Sequence, residues 1–156
     1  MIVGSIVANS ILKKAQEDNI LITPLKLNYL VYLLYSNYLY RTGENLFNEP
    51  FEKTYLGPII PTVQFKFGSF KNNNINEYSK DALGNIKYVK GDIFDSILNY
   101  IWDTYKYMSD VEIFILINNG DFYSNKKIGE VLSDTDILED EKNRNENRYV
   151  KKLLGN

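Results

Sequence analysis

EPFEKTYLGPIIPTVQFKFGSF, residues 49–70, sets out a strand, a turn and a helix start within 22 residues. Phe51 to Tyr55 alternates aromatic, charged and polar side chains, the period of a short half-exposed strand. Gly57-Pro58 reads as the turn that follows, Gly for its freedom at unusual dihedrals and Pro for its fixed φ. Pro61 then suits the first position of a helix running from Thr62 to about Phe70, where its missing N–H costs nothing. Within that helix Phe67 and Phe70 are i,i+3 neighbours and are expected in the core, while Lys66 and Lys71 stay in water.

Upstream, TPLKLNYLVYLLYSNYLY is a stronger helical signal. Thr23 is placed to cap it, Pro24 to start it and Gly43 to stop it in the left-handed region. From Leu27 to Leu39 it is apolar on nearly every side, which belongs in the middle of a fold. Its tyrosines can bury their rings and send the hydroxyls to polar partners. Gly4 to Glu17 has the helical spacing of Ile6, Val7 and Ile11 and forms a first helix.

Downstream, residues 71–74 are a loop, Leu83-Gly84-Asn85 a turn, and Ile86 to Val89 a strand that could pair with 51–55. Asp92 is read as the cap of a helix burying Ile93, Phe94, Ile97, Leu98, Ile101, Trp102 and Tyr105. Ser109 and Glu112 have capping-box spacing, which makes Val111 to Ile117 a helix; Asn119-Gly120-Asp121 would end it. Lys126 to Leu132 suggests one or two helical turns. The segment 134–156 is acidic, then basic, and would be a helix whose Asp140–Arg144 i,i+4 pair lies on a solvated face, with Tyr149, Val150, Leu153 and Leu154 apolar. The fold class is therefore mainly α: one compact helical domain around the apolar helix Pro24–Tyr40, with a small two-stranded β element.

Composition narrows the chemistry. At 156 residues the chain is one domain by size, able to bury roughly 68–70 % of its unfolded surface. It has no Cys and no His. That removes disulfides, thiolate nucleophiles, Ser-His-Asp and Cys-His machinery, and most zinc and copper sites. Neither phosphate-binding glycine motif occurs. Asp134-Thr135-Asp136 begins like a calcium loop, but Leu138 and Glu139 stand where a ligand and a Gly are needed. The acidic pairs are explained as caps and solvated faces. No catalytic, cofactor-binding or metal residue is assigned, and the expectation is a non-enzyme without cofactor.

A net charge of −2 gives no long-range pull toward nucleic acid. The 19 Asn and 13 Tyr fit AT-rich codon usage better than a base-stacking surface. Met1-Ile2-Val3-Gly4 lacks a basic leader, and Leu25 to Tyr40 is too short and too polar to span a bilayer. The expected location is cytoplasmic, away from membranes.

The order LKL…YLVYLLY…G…LF…FEK.Y.GPIIP resembles the Panacea domain, a group of SocA-like proteolytic adaptors, phage-associated proteins and antitoxins. Leu25, Lys26, Leu27, Leu30, Tyr32 and Leu39 carry it in the helix, then Gly43, Leu46, Phe47 and Phe51. Its specific part is Tyr55, Gly57, Pro58 and Pro61. The chain departs from the family at Thr54-Tyr55, where an Ala-Trp pair is common, and after Met108-Ser109, where a Thr-His and a Pro-Trp are missing. The resemblance implies a protein-binding module: an antitoxin or phage inhibitor that neutralises a toxin or a host defence nuclease by direct steric contact. A proteolytic adaptor and a nucleic-acid-binding autoregulator are the alternatives. Candidate partner contacts are the exposed cations Lys66, Lys71, Arg144, Arg148, Lys151 and Lys152.

Overall fold

The computed structural model describes residues 1–118 and 125–153, with side chains to residue 146. In chain order it forms α1 (Gly4–Glu17), α2 (Pro24–Thr42), β1 (Phe51–Thr54), β2 (Gly57–Ile59), α3 (Pro61–Phe67) with a 3-10 turn (Gly68–Phe70), α4 (Asp92–Tyr105), α5 (Asp110–Asn118), β3 (Val131–Leu132) and α6 (Asp134–Leu153). The fold is mainly α with a three-stranded antiparallel sheet.

Local signals account for the helix ends. The Thr23 Oγ1 accepts from the Lys26 N–H at 3.3 Å, Pro24 sits in the first turn, and Gly43 stops α2 at φ +74°. Ser109 and Glu112 close a reciprocal box at the start of α5, with bonds of 3.1 and 3.2 Å. A second box joins Ser133 and Asp136 ahead of α6.

α2 packs against α1, α3, α4, α5, α6 and β2, and Leu27, Tyr29, Leu30, Val31, Tyr32, Leu33 and Leu34 are wholly buried. Ile11 and Val7 of α1, Phe94, Ile97 and Trp102 of α4, and Ile113 and Ile117 of α5 complete the core. Phe51 brings β1 into it, its ring edge-on to Tyr32 at 5.3 Å and to Tyr35 at 5.1 Å. Among the described residues no helix is long and apolar enough to cross a membrane.

Several expectations are corrected. Gly57-Pro58 is not the turn: Tyr55-Leu56 turns the chain, and Gly57 and Pro58 lie in β2 opposite Thr54 and Lys53. The third strand is Val131–Leu132, paired with Glu52 and Phe51, where helical turns were expected. Ile86 makes only an isolated bridge to Lys80. Gly91, at φ +144°, stands at the cap of α4, so Asp92 is its first residue, and Ile93 faces water. Phe67 is buried but Phe70 only half so. Residues 119–121 and the side chains of Tyr149, Val150, Leu153 and Leu154 fall outside what is described.

Candidate interaction surfaces

The motif residues shape a hairpin and fasten it. Tyr55 and Leu56 form its tip, 83 % and 56 % exposed. Behind the tip, the Tyr29 hydroxyl donates to the Leu56 carbonyl, tying the turn to α2. Gly57 adopts φ +112°, and a Cβ there would lie 2.6 Å from Cε1 of Tyr29. Pro58 is buried in β2, and Pro61 starts α3. The buried Asn28 locks this corner: its Oδ1 accepts from the Ile60 N–H at 3.3 Å, and its Nδ2 donates to Gln64 Oε1 at 3.2 Å. Glycine and prolines here position the hairpin, and Tyr55 at its tip offers a protruding aromatic side chain.

Beside the hairpin runs α5, which packs against β2. Its Phe114 ring lies 6.5 Å from that of Tyr29. Ile113 and Ile117 point into the core, but Val111 and Ile115 point out, 66 % and 62 % exposed. A helix apolar all round is normally enclosed; here one side has no cover among the described residues. Asp110 and Glu112 are its only charged residues.

The basic candidates separate. Arg144 does not belong to a solvated face: it is buried between α6 and α2 with Asp140 and Glu141. Its Nη1 donates to Asp140 Oδ2 at 2.7 Å, and its Nη2 to Glu141 Oε2 at 2.6 Å and to Ser36 Oγ at 3.1 Å. Tyr32 donates to the same Asp140 oxygen at 2.7 Å, and Asn37 to Glu141 Oε1 at 2.7 Å. Burial opposes the Arg144 charge, but the two carboxylates outweigh it and hold its pKa above the ordinary value. Burial pushes the Asp140 carboxyl up, against the pull of Arg144. This network fixes how α6 lies on α2 and, being buried, offers a partner nothing, although Arg144 Nε and Asn37 Oδ1 find no hydrogen-bond partner within it. The side chains of Arg148, Lys151 and Lys152 lie outside the described residues.

Lys66 and Lys71 are both exposed. Lys66 reaches the loop of residues 79–87, where its Nζ donates to the Lys80 carbonyl at 3.3 Å. It lines a cleft of about 160 Å³ together with Lys80 and Lys87, neither of which the sequence reading singled out. Among the described residues no group of three or more acidic side chains is arranged to hold a metal ion.

No family model matches the chain, and no curated protein or solved structure is detectably similar to it.

Proposed function

We propose that this chain is a protein-binding module without catalytic activity, an antitoxin or phage-type inhibitor that neutralises a protein partner by covering part of its surface. The observation that carries the reading is the exposed apolar side of α5 next to the hairpin tip. Val111, Ile115, Tyr55 and Leu56 are solvated at a cost that an occluding partner would relieve. The hairpin is held from behind by Tyr29, so little freedom is lost on binding. The carboxylates of Asp110 and Glu112 at the edge of α5 suit a partner with an apolar patch beside basic residues. Toxins and defence nucleases that handle nucleic acid carry such basic surfaces.

The test is capture from host lysate with tagged wild-type chain and with the doubly substituted Val111→Glu, Ile115→Glu chain, each with and without nuclease treatment. One stoichiometric protein held by the wild type, resistant to nuclease and lost in the variant, is the expected result. Capture unchanged by the substitutions, or abolished by nuclease, would sink the reading. Degradation of the captured protein in cells, in place of its inhibition, would point to the adaptor alternative.

A further inference from the structure

We infer that the cleft between the start of α1, α3 and the loop of residues 79–87 is a binding site for a phosphate group. The chain carries a net charge of −2, yet three lysines line this one cleft, Lys66, Lys80 and Lys87. Ser5, Ser79 and Asn85, residues whose side chains carry hydroxyl and amide donors, line it with them. Ammonium groups beside hydroxyl and amide donors are the donor set that phosphate oxygens take.

One carboxylate, Asp81, also lines the cleft, and its bonds already engage it. Its Oδ1 accepts from the backbone N–H groups of Leu83 and Asn85 at 2.9 and 2.8 Å, and its Oδ2 meets Lys87 Nζ at 3.2 Å. Those bonds, the Asn85 N–H first, hold its pKa below the ordinary value. Asp81 therefore shapes the loop and steadies Lys87, and the lining residues keep an excess of two positive charges.

The wall is built rather than fortuitous. Asn9, buried in α1, donates from Nδ2 to the carbonyls of Ser79 and Lys87 at 2.9 and 3.1 Å, and its Oδ1 accepts from the Ser79 N–H at 2.8 Å. Both ends of the loop are thereby clamped onto the helix, which fixes where Lys80 and Lys87 leave the backbone. The end of α1 itself is not available to the ligand, because Glu49 already accepts from the Gly4 N–H. Recognition rests on the side chains.

The experiment is a titration of the isotope-labelled full chain with inorganic phosphate, followed by amide NMR, against chloride at matched ionic strength. Saturable shifts confined to Ser5, Lys66 and the loop of residues 79–87 are expected. Lys66→Gln and Lys80→Gln should each weaken binding about tenfold, as loss of one charge-assisted bond does. Lys71→Gln, outside the cleft, should leave it unchanged, and circular dichroism should show all three variants folded. A nucleoside monophosphate binding as tightly as phosphate would support a site that reads a terminal phosphate from either source. Shifts that grow without saturating, or that survive both cleft substitutions, would overturn the inference. So would binding of an oligonucleotide alone with affinity rising with its length, since that is diffuse backbone contact.

Discussion

Gly57 lies so close to Tyr29 that a single added carbon would fall 2.6 Å from the ring's Cε1. The same glycine holds φ at +112°, a region that side-chain-bearing residues rarely adopt. Two costs therefore coincide in any substitution, backbone strain and a clash with a wholly buried ring. Gly57→Ala should destabilise the fold by about 2–4 kcal/mol, and Gly57→Val by more. Urea unfolding measures it. A midpoint equal to that of the wild type would remove Gly57 from the account of how the hairpin is seated.

The Arg144 network yields a prediction of the opposite kind, in which charge and not volume decides. Arg144→Met leaves Asp140 and Glu141 buried without their cation, a loss of about 3–5 kcal/mol. Adding Asp140→Asn should recover part of that, because one of the stranded carboxylates is then gone. The deficit of the single variant should also shrink on acidification. Burial holds the Asp140 pKa above its ordinary value even with Arg144 beside it, and without that cation the carboxyl takes up its proton at higher pH still. Stability from that group is fully present below the ordinary carboxylate value and is lost as pH rises through the folded one. Unfolding curves across that window, showing a deficit that is constant with pH, would contradict the assignment.

Much of this fold can be read locally, and what cannot has a physical reason. The two ends of α2 and the start of α5 follow from Thr23, Pro24, Gly43, Ser109 and Glu112, whose effects reach only one helical turn. Pairing of Val131 and Leu132 with β1 does not, because a two-residue strand has no period and its partner lies some 80 residues away. The spacing of Asp140 and Arg144 shows that they can pair but not which way they face. The missing clue was on α2, where Tyr32, Ser36 and Asn37 interrupt an apolar run on one side; a polar stripe on a buried helix needs buried partners. Lys80 and Lys87 sit in an unpatterned loop, and long-range bonds from Asn9 and Lys66 bring the loop to its place.

Asp18 supplies a pH prediction with a built-in reporter. The indole Nε1–H of Trp102, the chain's one tryptophan, donates to Asp18 Oδ2 at 2.7 Å. That bond, aided by Lys106, holds the Asp18 pKa below its ordinary value. A depressed folded pKa means the contribution is present above the unfolded value and is lost as pH falls through the folded one. Trp fluorescence should therefore titrate with a midpoint below the ordinary Asp value of about 3.9. Asp18→Asn should abolish the transition. A midpoint at or above the ordinary value in the wild type would show that the bond does not favour the carboxylate.

The three tyrosines of α2 test whether burial of the partner, rather than the hydroxyl itself, sets the worth of these bonds. Tyr29, Tyr32 and Tyr35 stand three residues apart with buried rings, and each donates to an oxygen on another element. The Tyr32 acceptor, Asp140, is buried and paired with Arg144 at 2.7 Å, so no water can replace the lost donor. Tyr32→Phe should cost about 1.5–3 kcal/mol, the range for bonds to charged groups. The Tyr35 acceptor is Asp134, which is exposed and also accepts from Asn45 at 2.7 Å. The Tyr29 acceptor is a carbonyl at the exposed hairpin tip. Water can take over in both places, and Tyr29→Phe and Tyr35→Phe should each cost no more than about 1 kcal/mol. Urea unfolding of the three variants side by side decides it. Equal losses at all three positions would mean that burial of the acceptor does not govern how α2 holds the hairpin and α6.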